Sequence, residues 1–346
     1  MKSIIVTFII LASILYSCDI KEKGIEVKEK IYIESKYGTQ VISNYDVPVI
    51  AKDISGNDIT SQTKFFIDGS AINGNIIRFQ NSGTYELTAE ITIDGETKEA
   101  DPLTINVIDP QSSTKILVED FTGVWCVNCP RIAYKLENAV NQNNNIIPTA
   151  IHGSFNSSTA FDPFGYDNIS YFSNNYNVTA YPTPLVNRDF VWDENFSTLE
   201  NQLNKNKPMG LAINSTLNGN NIDIEVKVRF DMDFSSENLN LVVYLNENGL
   251  RHDQANSTNY YGGQNPIPNF EHNHTLRFTF TGESGVSINN HKATNEIYTY
   301  HYTGAVPLNV SNINNCEIVA FVATNDNPVK VINVQKATIN TQQNFD

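Results

Sequence analysis

The chain of 346 residues predicts a multidomain architecture, α/β in its middle and all-β on both flanks. Three observations carry this. Between residues 30 and 109, short apolar–polar alternations are separated by turn dipeptides such as Asp68-Gly69 and Asp94-Gly95, the pattern of a small β-sandwich. Next, the apolar run Ile116-Leu117-Val118 precedes a Cys-x-x-Cys pair. Apolar residues at helical spacing follow it, at Ile132, Leu136, Ala139 and Val140. From about 209 the alternation returns in enough segments for a second, larger β-sandwich.

Residues 1–17 read as a signal peptide: one Lys, an apolar stretch from Ile4 to Leu15, then Tyr16-Ser17 before Cys18. A Cys directly after Leu-x-Ser resembles a bacterial lipobox. That resemblance implies cleavage before Cys18 and acylation of its sulfur with palmitate-type chains. A plain secretory signal would instead leave a free thiol at the exposed terminus, which an oxidising compartment disfavours. Several acyl chains anchor a protein without a spanning helix, and no other stretch is long and apolar enough to span. Residues 18–29 are charged and patternless, as a tether would be.

The mature chain is then extracytoplasmic and keeps Cys126, Cys129 and Cys316, too few for a disulfide-built scaffold. The net charge of −15 repels nucleic acid and anionic lipid. No nucleic-acid partner is expected, and membrane contact comes through the lipid on Cys18.

In the segment 30–109, strands are expected at Ile31-Tyr32-Ile33, Val47 to Ile50, Phe65 to Ile67, Ile76 to Phe79, Tyr85 to Ile93 and Leu103 to Val107. The stretch Asp53 to Thr60, followed by Gly83-Thr84-Tyr85, resembles bacterial immunoglobulin-like modules. No catalytic constellation occurs in it, and a spacer role is expected.

The next segment, 110–207, opens on the linker Asp109-Pro110-Gln111-Ser112-Ser113 and contains Glu119-Asp120-Phe121-Thr122-Gly123-Val124-Trp125-Cys126-Val127-Asn128-Cys129-Pro130. A Cys-x-x-Cys pair at a strand-to-helix turn has the geometry of a dithiol redox site. Helix N–H groups there stabilise a thiolate. A structural disulfide or half of a zinc site is the other reading, but no second Cys-x-x-Cys or His-x-His lies within the same segment. Beyond the helix, Ile146 to Ile151 reads as a strand, Leu185 to Arg188 as a strand and turn, and Phe196 to Asn206 as a closing helix that Pro208 ends.

Tyr176 to Thr183, with Tyr181-Pro182-Thr183 at its end, is similar to the stretch that carries the cis-proline in thioredoxins. Asp120, Phe121 and Trp125 match around the cysteines. The resemblance implies a thioredoxin-like α/β domain with roles for five residues. Cys126 is the exposed attacking thiolate, and Cys129, deeper, resolves the mixed disulfide. Pro182, in cis, sets a backbone edge beside Cys126. Trp125 shields the site or simply packs. Asp120 is the buried acid that passes protons to the second Cys; Glu119 takes that role if the strand phase differs, and a solvated strand-end acid is the bland alternative. Val127-Asn128 offers no cation to depress the Cys126 pKa, though Arg131 is close in sequence. A moderate potential is expected, with no direction of electron flow.

Residues 208–346 carry alternating strands, a long loop from Arg251 to Asn273 and two notable side-chain sets. His272 and His274 are two apart, a spacing that would put both on one strand face; that suits a metal ligand pair or, without an evident third ligand, fold-maintaining hydrogen bonds. Cys316 opens a strong strand and reads as a buried core thiol, or as a partner for another Cys. Val243 to Leu250 and Glu271 to Arg277 complete a chain order of lipobox, immunoglobulin-like module, Phe-Thr-Gly-x-Trp-Cys-x-x-Cys-Pro core and β-rich C-terminal domain. Together these look like the 28-kilodalton outer-membrane protein family of Bacteroidota lipoproteins, over about 110 to 346. The resemblance implies outer-membrane attachment and says little of substrate.

Two functional readings follow. One is a lipid-anchored extracytoplasmic thiol–disulfide oxidoreductase acting on cysteines of exported proteins, with no cofactor or metal. The other is a non-catalytic outer-membrane lipoprotein that binds a protein or glycan, with the α/β domain as scaffold.

Overall fold

The computed structural model describes residues 30–93, 95–153 and 161–346; the expected signal peptide, the tether and Cys18 lie outside them. The N-terminal module runs β1 Tyr32–Ser35, β2 Gln40–Ile42, β3 Val47–Lys52, β4 Lys64–Ile67, β5 Ser70–Ala71, β6 Ile76–Ile77, β7 Gly83–Ile93, β8 Glu96–Glu99 and β9 Leu103–Ile108. These form a three-stranded sheet, β1-β3-β6, and a six-stranded sheet, β2-β9-β7-β4-β5 with β8 on β7. Alternation decides which face is buried: Val47, Val49 and Ala51 of β3 meet Phe65, Leu87 and Ile105 of the other sheet in one core. The β4–β5 hairpin turns on Asp68 and Gly69, with φ of 46° and 75°, the left-handed pair that a two-residue turn matched to strand twist demands.

The middle of the chain follows as β10 Ile116–Thr122, α1 Cys129–Gln142, β11 Ile146–His152, α2 Ile169–Tyr176, β12 Thr183–Val186, β13 Phe190–Val191 and α3 Phe196–Leu203. β10 and β11 pair in parallel, from Ile116↔Ile146 to Thr122↔His152, with α1 as the crossover between them. β12 lies antiparallel on the other edge of β10, with Phe121 opposite Thr183. Every residue of β10 is buried, as expected of a strand covered on both faces. Ile116 and Val118 point to the side of α1 and α3, with Leu136, Val186 and Leu199. Leu117 and Phe121 point to the side of α2, with Phe172, Val178 and Leu185.

The remainder is β14 Met209–Asn218, β15 Asn221–Phe230, β16 Leu239–Glu247, β17 Leu250–Gln254, β18 Ile267–His272, β19 Thr275–Thr279, β20 Val286–Ile288, β21 Ile297–Ala305, β22 Cys316–Thr324 and β23 Val331–Thr338. β14, β15 and β21 make a three-stranded sheet. Facing it are Leu241, Val243, Leu245, Ile318 and Val322, which share its core.

Those facing strands belong to a nine-stranded sheet of order β13-β12-β10-β11-β19-β16-β22-β23, with β20 on β16. The expected boundary at 207–208 therefore falls inside a region that shares one sheet. The joint is the edge of β11: Ala150 pairs in parallel with Thr275, and its N–H donates to the His274 carbonyl at 2.8 Å. Without β19, β11 would present an open edge. The chain is thus β-rich, with several sheets and few helices, and the α/β unit is built into a larger β framework.

Candidate functional site: a cysteine pair under a strap

Gly123 to Asn128 connect β10 to α1, and Cys129 opens the helix with Pro130 directly behind it, where a missing N–H costs nothing. Cys126 and Cys129 are joined by a disulfide. The loop closes on itself: the Cys126 N–H donates to Gly123 at 2.9 Å and the Cys129 N–H to Cys126 at 3.2 Å. Trp125 folds back, its indole N–H donating to the Gly153 carbonyl at 3.0 Å and its ring stacking on Tyr181 at 5.6 Å. Gly123 permits this, because a Cβ there would lie 2.7 Å from the indole nitrogen. The Tyr181-Pro182 bond is cis. Thr183, next in the chain, opens β12 opposite Phe121. The motif loop and the Pro182 turn therefore meet through Trp125 and Tyr181.

The two candidate acids separate by strand parity. Glu119 faces α2 and is taken up by Arg188, whose Nε and Nη2 donate to its two oxygens at 3.0 Å each. Tyr244 joins them, its hydroxyl donating to Glu119 at 3.0 Å while receiving Arg188 Nη2 at 2.6 Å. Asp120 faces the other side, that of α1. It is buried, its Oδ1 has no hydrogen-bond partner, and burial pushes its carboxyl up to about 7. It is not a solvated strand-end acid.

Cys126 is not exposed as its expected role requires. It is 4 % accessible and Cys129 2 %. The cover comes from the C-terminal half, where the segment Gln254 to Ser257 lies across the motif as a strap. The Ala255 N–H donates to the Val124 carbonyl and the Ser257 N–H to the Val127 carbonyl, both at 2.8 Å. The Gln254 amide donates to the carbonyls of Gly123 at 3.2 Å and Cys126 at 3.0 Å. The Ser257 hydroxyl donates to Asn128 Oδ1 at 3.1 Å. The long loop of the sequence reading is in fact the β17–β18 hairpin, whose tip carries Tyr260 and Tyr261 onto the Tyr134 ring of α1, at 4.8 and 5.7 Å.

Under α1 lies a cavity of about 280 Å³, whose lining includes Asp120, Cys129, Ala133, Gln254, Phe270, His272 and His274. Cys126 does not line it. His272 is buried, and its Nε2 has no partner. Burial, then the neighbouring His152, drive its pKa down to about 3, so the ring is neutral. Beside it, His152 Nδ1 lies 2.9 Å from Asp162, which also accepts the Val124 N–H at 2.9 Å. Burial alone would raise the Asp162 carboxyl, but the hydrogen bond and charge of His152 outweigh it and hold it below the usual range.

His272 and His274 do not share a strand face. β18 ends at His272, and His274 sits in the following turn at φ 57° with its Nδ1 3.1 Å from Glu317. The turn takes His274 off the strand, although both histidines are among the residues that line the cavity. Among the described residues no group of His, Cys, Asp and Glu could hold a metal ion. Cys316 is free and buried. Burial pushes its thiol up to about 12, so it stays protonated and inert.

The sequence reading missed Arg188 as an ion-pair partner, the His152–Asp162 pair and the role of Gln254. Only the length of the 251–273 loop pointed toward the last.

The family model described as outer membrane protein Omp28 matches residues 169–343, half of the chain. The match takes in Pro182, Arg188 and the strap but begins after the cysteine pair. No curated protein matches the chain. Among solved structures, HBP35 of Porphyromonas gingivalis is similar in fold, with a TM-score of 0.54 at 14% identity over 68% of this chain and 78% of that one. A protein from Agrobacterium tumefaciens aligns with a TM-score of 0.44 at 12% identity over 68% of this chain and 99% of that one. The family match over half the chain, from α2 through β23, places the protein at the outer membrane, and the chain belongs to the Omp28 outer-membrane protein family.

Proposed function

We propose that this protein is a lipoprotein, anchored through acylated Cys18, whose Cys126–Cys129 pair exchanges with thiols and disulfides of the cell envelope. In this reading 30–109 is an immunoglobulin-like spacer, 110–207 a thioredoxin-like domain and 208–346 a C-terminal sandwich that braces it. The observation that carries the reading is the bonded pair at the start of α1, with the unpartnered carboxyl of Asp120 on the same side of the sheet. The parallel β10–α1–β11 unit, with β12 antiparallel on the other edge of β10, supports it. Cys126 and Cys129 are the exchanging pair, Asp120 the proton carrier, and Trp125 and Pro182 the shaping residues. Exported proteins, as partners, reach Cys126 when the strap lifts. Exchange with a protein disulfide should be measurable for the wild type and lost in Cys126→Ser. A Cys129→Ser variant expressed in the envelope should trap mixed disulfides.

A binding lipoprotein with a structural disulfide is the second reading, favoured by the burial of both sulfurs. It wins if wild type and Cys126→Ser are equally inert toward thiols and disulfides while a protein or glycan is still bound.

A further inference from the structure

We propose that the Cys126–Cys129 disulfide is reached by low-molecular-weight thiols through the cavity under α1, at Cys129, as long as the strap is closed over Cys126 and keeps polypeptides off it. The inference rests on the redox reading above and names the reactant that the closed structure admits. On the loop side, the carbonyls of Gly123, Val124, Cys126 and Val127 are already hydrogen-bonded to Gln254, Ala255 and Ser257. The loop that carries Cys126 is thus covered by the chain itself. On the helix side, Cys129 lines a cavity of about 280 Å³, just under the size of ordinary ligand pockets, about 300–1,000 Å³, and matched to a small molecule.

The cavity is furnished for a polar guest. Asp120 Oδ1 and His272 Nε2 are buried there without partners, and such atoms are costly unless water or a ligand meets them. Pro130, Ala133, Leu136 and Phe270 give the lining an apolar part, beside polar residues that include Thr122, Asn141, His152 and Gln254. Glu137 and Glu271 stand among the lining residues, both exposed, so an uncharged or cationic thiol is favoured over an anionic one.

The step balances as follows. Asp120 takes the proton of the incoming thiol, and the resulting thiolate attacks the Cys129 sulfur. A new S–S bond forms between the thiol and Cys129, the Cys126–Cys129 bond breaks, and the proton ends on the departing Cys126 sulfur. A second thiol molecule then attacks the mixed disulfide and releases a small disulfide, leaving both cysteines reduced and two thiols oxidised.

The test reduces the native oxidised protein with 2-mercaptoethanol, 2-mercaptoethanesulfonate and a thiol-terminated polyethylene glycol, with rates compared per thiolate. 2-Mercaptoethanol should react at least about tenfold faster than either of the others, and acid-quenched adducts should map to Cys129. Ala133→Phe, which fills the cavity wall, should slow 2-mercaptoethanol and leave the polymer rate unchanged. Should that variant fail to fold, Val140→Phe along the same wall makes the same test. Adducts on Cys126, or equal rates for the small and polymeric thiols, overturn the inference while leaving the redox reading standing. If no thiol reduces the native pair while the unfolded protein is reduced readily, both fall.

Discussion

Glu119 and Asp120 are consecutive residues of β10 that face opposite sides of the sheet, one locked by Arg188 and the other without a partner. Strand alternation separates them, so of the two only Asp120 turns toward α1 and the cavity that Cys129 lines. Both carboxyls are buried; their surroundings decide what each can do.

Asp120 sets a pH dependence of stability. Its carboxyl is pushed up to about 7 by burial, whereas an unfolded Asp titrates near about 3.9. Below about pH 4 both states are protonated and the group is neutral to stability. As pH rises from there to 7 the unfolded chain ionises first, and stability falls; above 7 the penalty is full. Asp120→Asn should therefore stabilise the protein at pH 8 by up to about 4 kcal/mol, at about 1.4 kcal/mol per pKa unit, and by little at pH 4. Urea unfolding at pH 4, 6 and 8 checks this, and a gain that does not change with pH would refute the burial account.

Removing one partner of the buried ion pair should be severe. Arg188 holds Glu119 from both Nε and Nη2 and also bonds Tyr176 and Tyr244, tying α2 and β10 to β16. Arg188→Ala leaves Glu119 buried and charged, at a cost of about 3–5 kcal/mol. Arg188→Lys should recover little, because a point charge cannot reproduce the planar fork. A loss under about 1 kcal/mol in denaturant unfolding would mean that the pair is dispensable.

The strap should govern access to Cys126. Gln254→Ala removes two hydrogen bonds to the motif loop, each worth about 1 kcal/mol, so alkylation of Cys126 in the reduced protein should quicken by about tenfold or more. Unchanged alkylation kinetics would show that something other than the strap limits access.

Gly123→Ala should displace the indole of Trp125, whose nitrogen lies 2.7 Å from the position of the new Cβ. Overpacking of this kind costs about 1–3 kcal/mol. The near-ultraviolet circular dichroism of the Trp125–Tyr181 stack should collapse along with it. Retention of the wild-type spectrum would contradict the packing described.

By itself the sequence determined the β-rich flanks, the turn at Asp68-Gly69, the helix that follows the cysteine pair and the candidate residues gathered near it. These follow from near neighbours: alternation with period two, apolar spacing along a helix, and residues that accept positive φ. The tertiary structure alone decided that Cys126 is covered, that Asp120 and not Glu119 is the unpaired acid, that His272 and His274 part company, and that one sheet crosses residue 208. Each of these depends on distant partners. Gln254 is 131 positions from Gly123, Tyr244 is 125 from Glu119, and β19 meets β11 through Ala150 and Thr275. Such contacts leave no periodic signature, because they are selected by which surfaces meet when the sheets pack and not by the local geometry of either strand.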